Sequence, residues 1–182
     1  MSFSHPDHRV LLPGQNISTT GEILSFAAQT YPDKTGFICG SRRWTFREMD
    51  RAANRLANFI LTAFADREGP IGIIGKNSAE YVVTHFGTAR SGRHTVNLHA
   101  RSTADDLGDA VNRTKPALLV VDEDCQDLIA DAEVRFETPP ARIIATPGLP
   151  VADSPFWLEF ANQPNTPPAV RVDPDDPGLV IF

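Results

Sequence analysis

Pro70-Ile71-Gly72-Ile73-Ile74-Gly75-Lys76-Asn77-Ser78-Ala79-Glu80-Tyr81-Val82-Val83 is the stretch that decides the fold. A short apolar run bounded by Pro70 and Gly75 reads as a strand buried on both faces, the kind found in parallel sheets. Ser78 follows in the position of a helix N-cap. Tyr81, Val82, His85, Phe86 and Ala89 then recur at helical spacing until Gly92 ends the segment.

The same rhythm continues downstream. His94-Thr95-Val96-Asn97-Leu98 reads as a strand, and Thr103-Ala104-Asp105-Asp106 caps a helix carrying Leu107, Ala110 and Val111. That helix stops before Pro116. Ala117-Leu118-Leu119-Val120-Val121 is another buried strand, residues 126–132 a short helix, and Ala141-Arg142-Ile143-Ile144-Ala145 a further strand. Strand and helix alternating this way predict βαβ units in an α/β fold, a mostly parallel sheet with helices on both faces.

Upstream, Thr19-Thr20-Gly21-Glu22 is a capping box that opens a helix with Ile23, Leu24, Ala27 and Tyr31 on one face. Gly36-Phe37-Ile38-Cys39 and Arg43-Trp44-Thr45 flank Gly40-Ser41, a short β-hairpin. Thr45-Phe46-Arg47-Glu48 is a second capping box. It opens a helix whose apolar face is Met49, Ala52, Ala53, Leu56, Phe59, Ile60 and Ala63, with Arg51, Asn54, Arg55 and Asn58 opposite. Residues 1–18 read as an N-terminal arm. Residues 147–168 read as a Pro-rich surface loop pinned by Phe156, Trp157 and Phe160. Ala169-Val170-Arg171-Val172 then precedes Leu179-Val180-Ile181-Phe182, which reads as the start of one more buried strand. The whole of 1–182 is expected to form a single domain.

The 182 residues carry a net charge of −6, with 41% hydrophobic and 22% charged residues. Acidic and basic groups are interspersed, which argues against nucleic acid as a partner. No apolar stretch is long enough to cross a bilayer. Residues 1–8 lack the apolar core of a signal peptide. Cys39 and Cys125 fit a reducing compartment, so a cytoplasmic location is expected.

Three constellations could carry chemistry. Gly69-Pro70-Ile71-Gly72-Ile73-Ile74-Gly75-Lys76-Asn77-Ser78 approaches a phosphate-binding P-loop. Pro70 replaces its first glycine, however, and Asn77 its hydroxyl residue; a strand and a helix-capping turn account for it better. Asp122, Glu123 and Asp124 follow a strand end and could pair around magnesium, but helix capping suffices. His94 and His99 flank a strand and His85 lies on a helix face, with no spacing that completes a metal site. No residue is assigned a catalytic, cofactor-binding or metal-binding role.

Several segments in order resemble the adenylate-forming enzymes of the acyl-CoA synthetase superfamily. They are Thr45-Phe46-Arg47-Glu48-Met49 with Asn54-Arg55-Leu56-Ala57, Asn77-Ser78-Ala79-Glu80-Tyr81-Val82, Ala89-Arg90-Ser91-Gly92, Arg101-Ser102-Thr103-Ala104-Asp105-Asp106-Leu107, Leu119-Val120-Val121-Asp122, and Asp175-Asp176-Pro177-Gly178-Leu179-Val180-Ile181-Phe182. The likeness runs over residues 21–182. It implies a Rossmann- or flavodoxin-like N-terminal subdomain of a longer enzyme. Such an enzyme uses ATP, magnesium and CoA to activate a carboxylic acid, here a fatty or aromatic one, through an acyl-adenylate, and its other partner is the rest of the synthetase chain. The family's phosphate-binding loop would begin directly after Phe182. The chain by itself is therefore expected to be a non-catalytic fragment that binds none of these cofactors tightly, and to self-associate through an uncovered sheet edge. The rival reading is a self-contained flavodoxin-like or receiver-like domain, holding a ligand at the turn formed by residues 75–78 or at the cluster formed by residues 122–124. The chain departs from the family at Asn97, His99 and Ala100, where Pro, Asn and Pro are usual. Arg93 and His94 stand where small apolar residues are common, and they would cost stability unless paired.

Overall fold

The computed structural model of the chain describes residues 10–12, 15–17 and 19–182. Two short strands, β1 (Val10–Leu12) and β2 (Gln15–Ile17), pair antiparallel with Val10 opposite Ile17. They fall in the expected N-terminal arm; the rest of that arm lies outside the described residues.

Helix α1 (Thr20–Thr30) begins where the Glu22 carboxylate accepts a bond from the Thr19 N–H at 3.0 Å. The hairpin β3 (Thr35–Cys39) and β4 (Arg42–Thr45) follows. Helix α2 (Phe46–Ala63) starts on a full capping box: the Glu48 N–H donates to Thr45 Oγ1 at 3.2 Å, and Glu48 accepts from the Thr45 N–H at 2.8 Å. Two such reciprocal bonds satisfy donors that the first helical turn otherwise leaves open.

The alternating part comprises β5 (Ile71–Ile74), α3 (Ala79–Arg90), β6 (Thr95–Leu98), α4 (Ala104–Thr114), β7 (Leu118–Asp122), α5 (Gln126–Glu133) and β8 (Ala141–Ala145). Ser78 and Thr103 cap α3 and α4, accepting from the N–H groups of Tyr81 and Asp106, each at 3.1 Å. Beyond them lie α6 (Pro155–Glu159) and β9 (Leu179–Ile181). The sheet is five-stranded, in the order β8-β7-β5-β6-β9, and every pairing in it is parallel.

Alternation along β7 sends its side chains into two cores. Leu118 and Val120 pack with Met49, Leu56, Ile60 and Val83 of α2 and α3; Leu119 and Val121 pack with Leu107, Val111 and Ile129 of α4 and α5. Helices α2 and α3 approach closely at Gly87, where a Cβ would sit 3.0 Å from Leu56.

The apolar face expected for α2 is buried except for Ala63, while Asn54, expected on the polar face, is buried at 1% exposure. Its position is explained by bonds: its amide accepts from Arg90 at 2.6 Å and donates to the Asn165 carbonyl at 3.0 Å. On α1 only Leu24 of the expected stripe is fully buried, with Ile23 and Tyr31 exposed. Arg93 resolves the concern about a polar residue entering a strand, because its guanidinium donates to the carbonyls of Phe64, Arg67 and Gly69 at 2.6, 2.9 and 3.1 Å. Those acceptors follow the end of α2, where carbonyls lack helical partners.

Two further expectations need correction. Residues 147–168 contain a helix as well as loop: α6 inserts Phe156 and Trp157, joined by Phe160, into the core beside β8, and all three are buried. Phe156 meets Trp157 and Phe160 edge-on, each with centroids 5.0 Å apart. Burying each such ring contributes roughly 2–3 kcal/mol. Residues 169–172 form no strand, and β9 is an edge strand with Leu179, Ile181 and Phe182 exposed. The apolar run is thus not buried on both faces: Val180 packs against the second core, while Leu179 and Ile181, on the opposite face, are exposed.

Candidate functional site at the carboxyl edge of the sheet

In open parallel sheets, ligands sit beyond the carboxyl ends of the strands, near the point where neighbouring connections leave on opposite faces. Here that point lies between β5 and β7, since β5 leads to α3 and β7 to α5, which pack on opposite faces. Both turns singled out in the sequence meet there. Lys76 forms an ion pair with Asp124, and Asp122 accepts from the Asp124 N–H at 3.0 Å. The hydrogen bond and charge of Asp124 push the Lys76 amine upward from its ordinary pKa. The backbone of Gly75 lies against Asp122, so that a Cβ added there would come within 2.5 Å of the Asp122 Cβ. The space left is a cavity of about 10 Å³. Lys76, Ser78, Asp122 and Asp124 are committed to one another or to helix caps.

The open space lies one strand over. A crevice of about 520 Å³ follows the carboxyl ends of β5, β6 and β9, lined by Gly75, Tyr81, Asn97, His99, Arg101 and Phe182. An adjoining hollow of about 590 Å³ extends past His99 and Arg101 toward Asp106 and Arg113. The His99 ring accepts from the Arg101 N–H at 3.1 Å through Nδ1. Asn97 Oδ1 is buried and has no hydrogen-bond partner among the described residues. The crevice therefore offers an imidazole, a guanidinium, a phenol and an unused amide carbonyl. Of the three histidines considered in the sequence, only His99 lines it. His85 is half-buried on α3, where burial lowers its pKa. Asn97, Tyr81 and Arg101 were not singled out as site residues; the available signal was the position of Asn97 and Arg101 at or just after the end of β6 and of Tyr81 in the first turn of α3.

Fold and crevice together define a doubly wound parallel α/β unit with an open crevice at the carboxyl ends of β5, β6 and β9. The chain belongs to the AMP-binding enzyme family, whose family model matches residues 24–182. It is 27% identical over 94% of its length to a 3-hydroxybenzoate–CoA/4-hydroxybenzoate–CoA ligase of Thauera aromatica, of which it covers 33%. It is 26% identical over 88% of its length to the phosphinothricin tripeptide synthetase PhsC of Streptomyces viridochromogenes, covering 14% of that protein. Among solved structures, a Mycobacterium tuberculosis fatty acyl CoA synthetase superposes with a TM-score of 0.74 at 22% identity, over 90% of this chain and 32% of the other. The chain thus spans a third or less of the length of these relatives.

Proposed function

We propose that the chain is the N-terminal framework of an AMP-forming acid–thiol ligase. The parent enzyme joins a carboxylic acid to ATP as an acyl-adenylate, with magnesium, and passes the acyl group to CoA. The family match over residues 24–182 carries this reading. Relatives whose names specify hydroxybenzoates and medium- and long-chain fatty acids support an aromatic or fatty acid as substrate. Two unpaired cysteines, Cys39 and Cys125, support work in the cytoplasm. Among the described residues, no helix is long and apolar enough to cross a membrane.

The residues of the switch point do not fit a nucleotide triphosphate. Lys76 is neutralised by Asp124, Ser78 Oγ accepts from the Tyr81 N–H, and Asp122 caps the turn after β7. Among the described residues no group of three His, Cys, Asp or Glu could hold a metal ion. In this reading the phosphates and magnesium are met by other parts of the parent. This chain supplies the sheet, the helices that brace it, and one wall of the crevice beside β6. The cavity of about 10 Å³ between β5 and β7 also weighs against a flavodoxin-like or receiver-like ligand site.

Two measurements test the proposal. The coding sequence downstream of Phe182 should continue into a Thr/Ser/Gly-rich stretch ending in Lys; an unrelated continuation sinks the reading. Acid-dependent ATP–pyrophosphate exchange should appear with the parent protein and not with the 182-residue chain. Exchange catalysed by the chain alone would refute its assignment as framework.

A further inference from the structure

A cavity of about 380 Å³ lies between α2, β4 and α6 and shares no lining residue with the crevice beside β6. This volume is in the range that holds one small ligand. Trp44 and Trp157 form part of its wall, stacked with centroids 4.7 Å apart at 26°. Arg51 and Arg55, one helical turn apart on α2, line it as well. Among the described residues, neither guanidinium has a hydrogen bond or ion pair. Arg55 Nε and Trp44 Nε1 are buried donors without a partner. The one carboxylate in the wall, Glu48, is occupied by the capping box, accepting from the Thr45 N–H and hydroxyl at 2.8 and 2.9 Å.

Two arginines without a hydrogen bond or ion pair among the described residues, beside stacked indoles, are complementary to an anion carrying a flat apolar body. A guanidinium receives a planar carboxylate through paired N–H bonds. Aromatic walls favour a ring in offset or edge contact. We propose that this cavity is a second binding site of the chain, distinct from the carboxyl-edge crevice, for a small aromatic carboxylate. The carboxylate meets Arg51 and Arg55, and the ring lies among Trp44, Trp157 and Phe160. A hollow of this size, walled by α2, β4 and α6 together, suits a single small molecule.

The chain has 2 tryptophans, and both are in this wall, so intrinsic indole fluorescence reports on this site. Titration of the 182-residue chain with benzoate is expected to give a saturable change. Benzyl alcohol, of similar size but uncharged, should bind at least about tenfold more weakly. Arg51→Gln, at an exposed position, should leave the urea midpoint unchanged while weakening benzoate about tenfold, and Arg55→Gln should weaken it likewise. The proposal is overturned if benzoate gives no saturable change, or if benzyl alcohol binds as tightly. It is equally overturned if both arginine variants keep full affinity, or if only a glutamate-rich peptide elicits a response.

Discussion

The guanidinium of Arg90 lies 2.6 Å from the carboxylate of Asp50, at the place where α1, α2 and α3 meet. Its remaining donors reach the carbonyls of Gly21 and Asp50, the amide oxygen of Asn54 and the hydroxyl of Ser25. Every N–H of the side chain is therefore used. Burial lowers the pKa of Arg90, and the charge and hydrogen bond of Asp50 oppose that shift. One side chain of α3 thus fixes the other two helices above the sheet, and through them the edge from which the crevice opens.

Replacing Arg90 should be among the most damaging single changes. Arg90→Ala leaves the largely buried Asp50 unpaired, and breaking a buried pair in this way costs roughly 3–5 kcal/mol. Arg90→Lys restores the charge but cannot fork to five acceptors, so it should recover only part of the loss. Urea unfolding of both variants, and of Arg90→Ala combined with Asp50→Ala, checks this. A double variant as unstable as the sum of the singles would mean that the pair is not coupled.

Gly75 should tolerate no side chain. An added Cβ meets the Asp122 Cβ at 2.5 Å, and both residues are anchored in adjacent strand ends, so backbone has to move. Overpacking of this kind costs roughly 1–3 kcal/mol. Gly75→Ala is expected to lower the urea midpoint and to weaken the Lys76–Asp124 pair. The latter is visible as a downward movement of the Lys76 amine pKa by NMR. An unchanged midpoint would show that the two turns are not packed together.

The framework was largely legible in the chain because two-sided burial leaves a simple trace. Ile71, Ile73 and Ile74 form an unbroken apolar run, and Thr45 and Ser78 stand where helix starts need them. What could not be read depends on contacts distant in sequence. Asn54 looked like a surface residue because its partners, Arg90 and Asn165, lie 36 and 111 residues away. Trp157 sat in a Pro-rich stretch with no helical period, yet its indole N–H reaches Glu80 at 2.9 Å, across 77 residues. The crevice was harder still. Asn97 and Arg101 drew attention only through the resemblance and His99 also as a metal ligand without partners, and the fold brings them together with Tyr81. Lys76 and Asp124 invited a functional reading separately, and their pairing with each other removes it.

Stability should depend on pH through His85. Burial holds its imidazole below the usual value of about 6.5, so the unfolded chain binds this proton more readily than the folded one. The contribution is fully present above the unfolded pKa and is lost as the pH falls from about 6.5 through the lower folded value. His85→Gln should flatten that part of the profile. Urea midpoints measured from neutral to mildly acid pH decide the matter, and a variant with the same slope as the parent would assign the dependence to other groups.

Self-association should proceed through β9. The strand pairs with β6 on one side, and no described strand pairs with its other side. Ile181 is 72% and Phe182 46% exposed at this edge. Unpaired backbone beside apolar side chains is a template for another strand. We expect the isolated chain to sediment as a mixture of monomer and dimer that shifts toward dimer as concentration rises. Ile181→Lys places a charge on the open edge and should restore the monomer without changing the urea midpoint, because Ile181 buries little in the folded chain. If the variant associates as strongly as the parent, the contact lies elsewhere. A parent that stays monomeric throughout would show that β9 is protected in some other way.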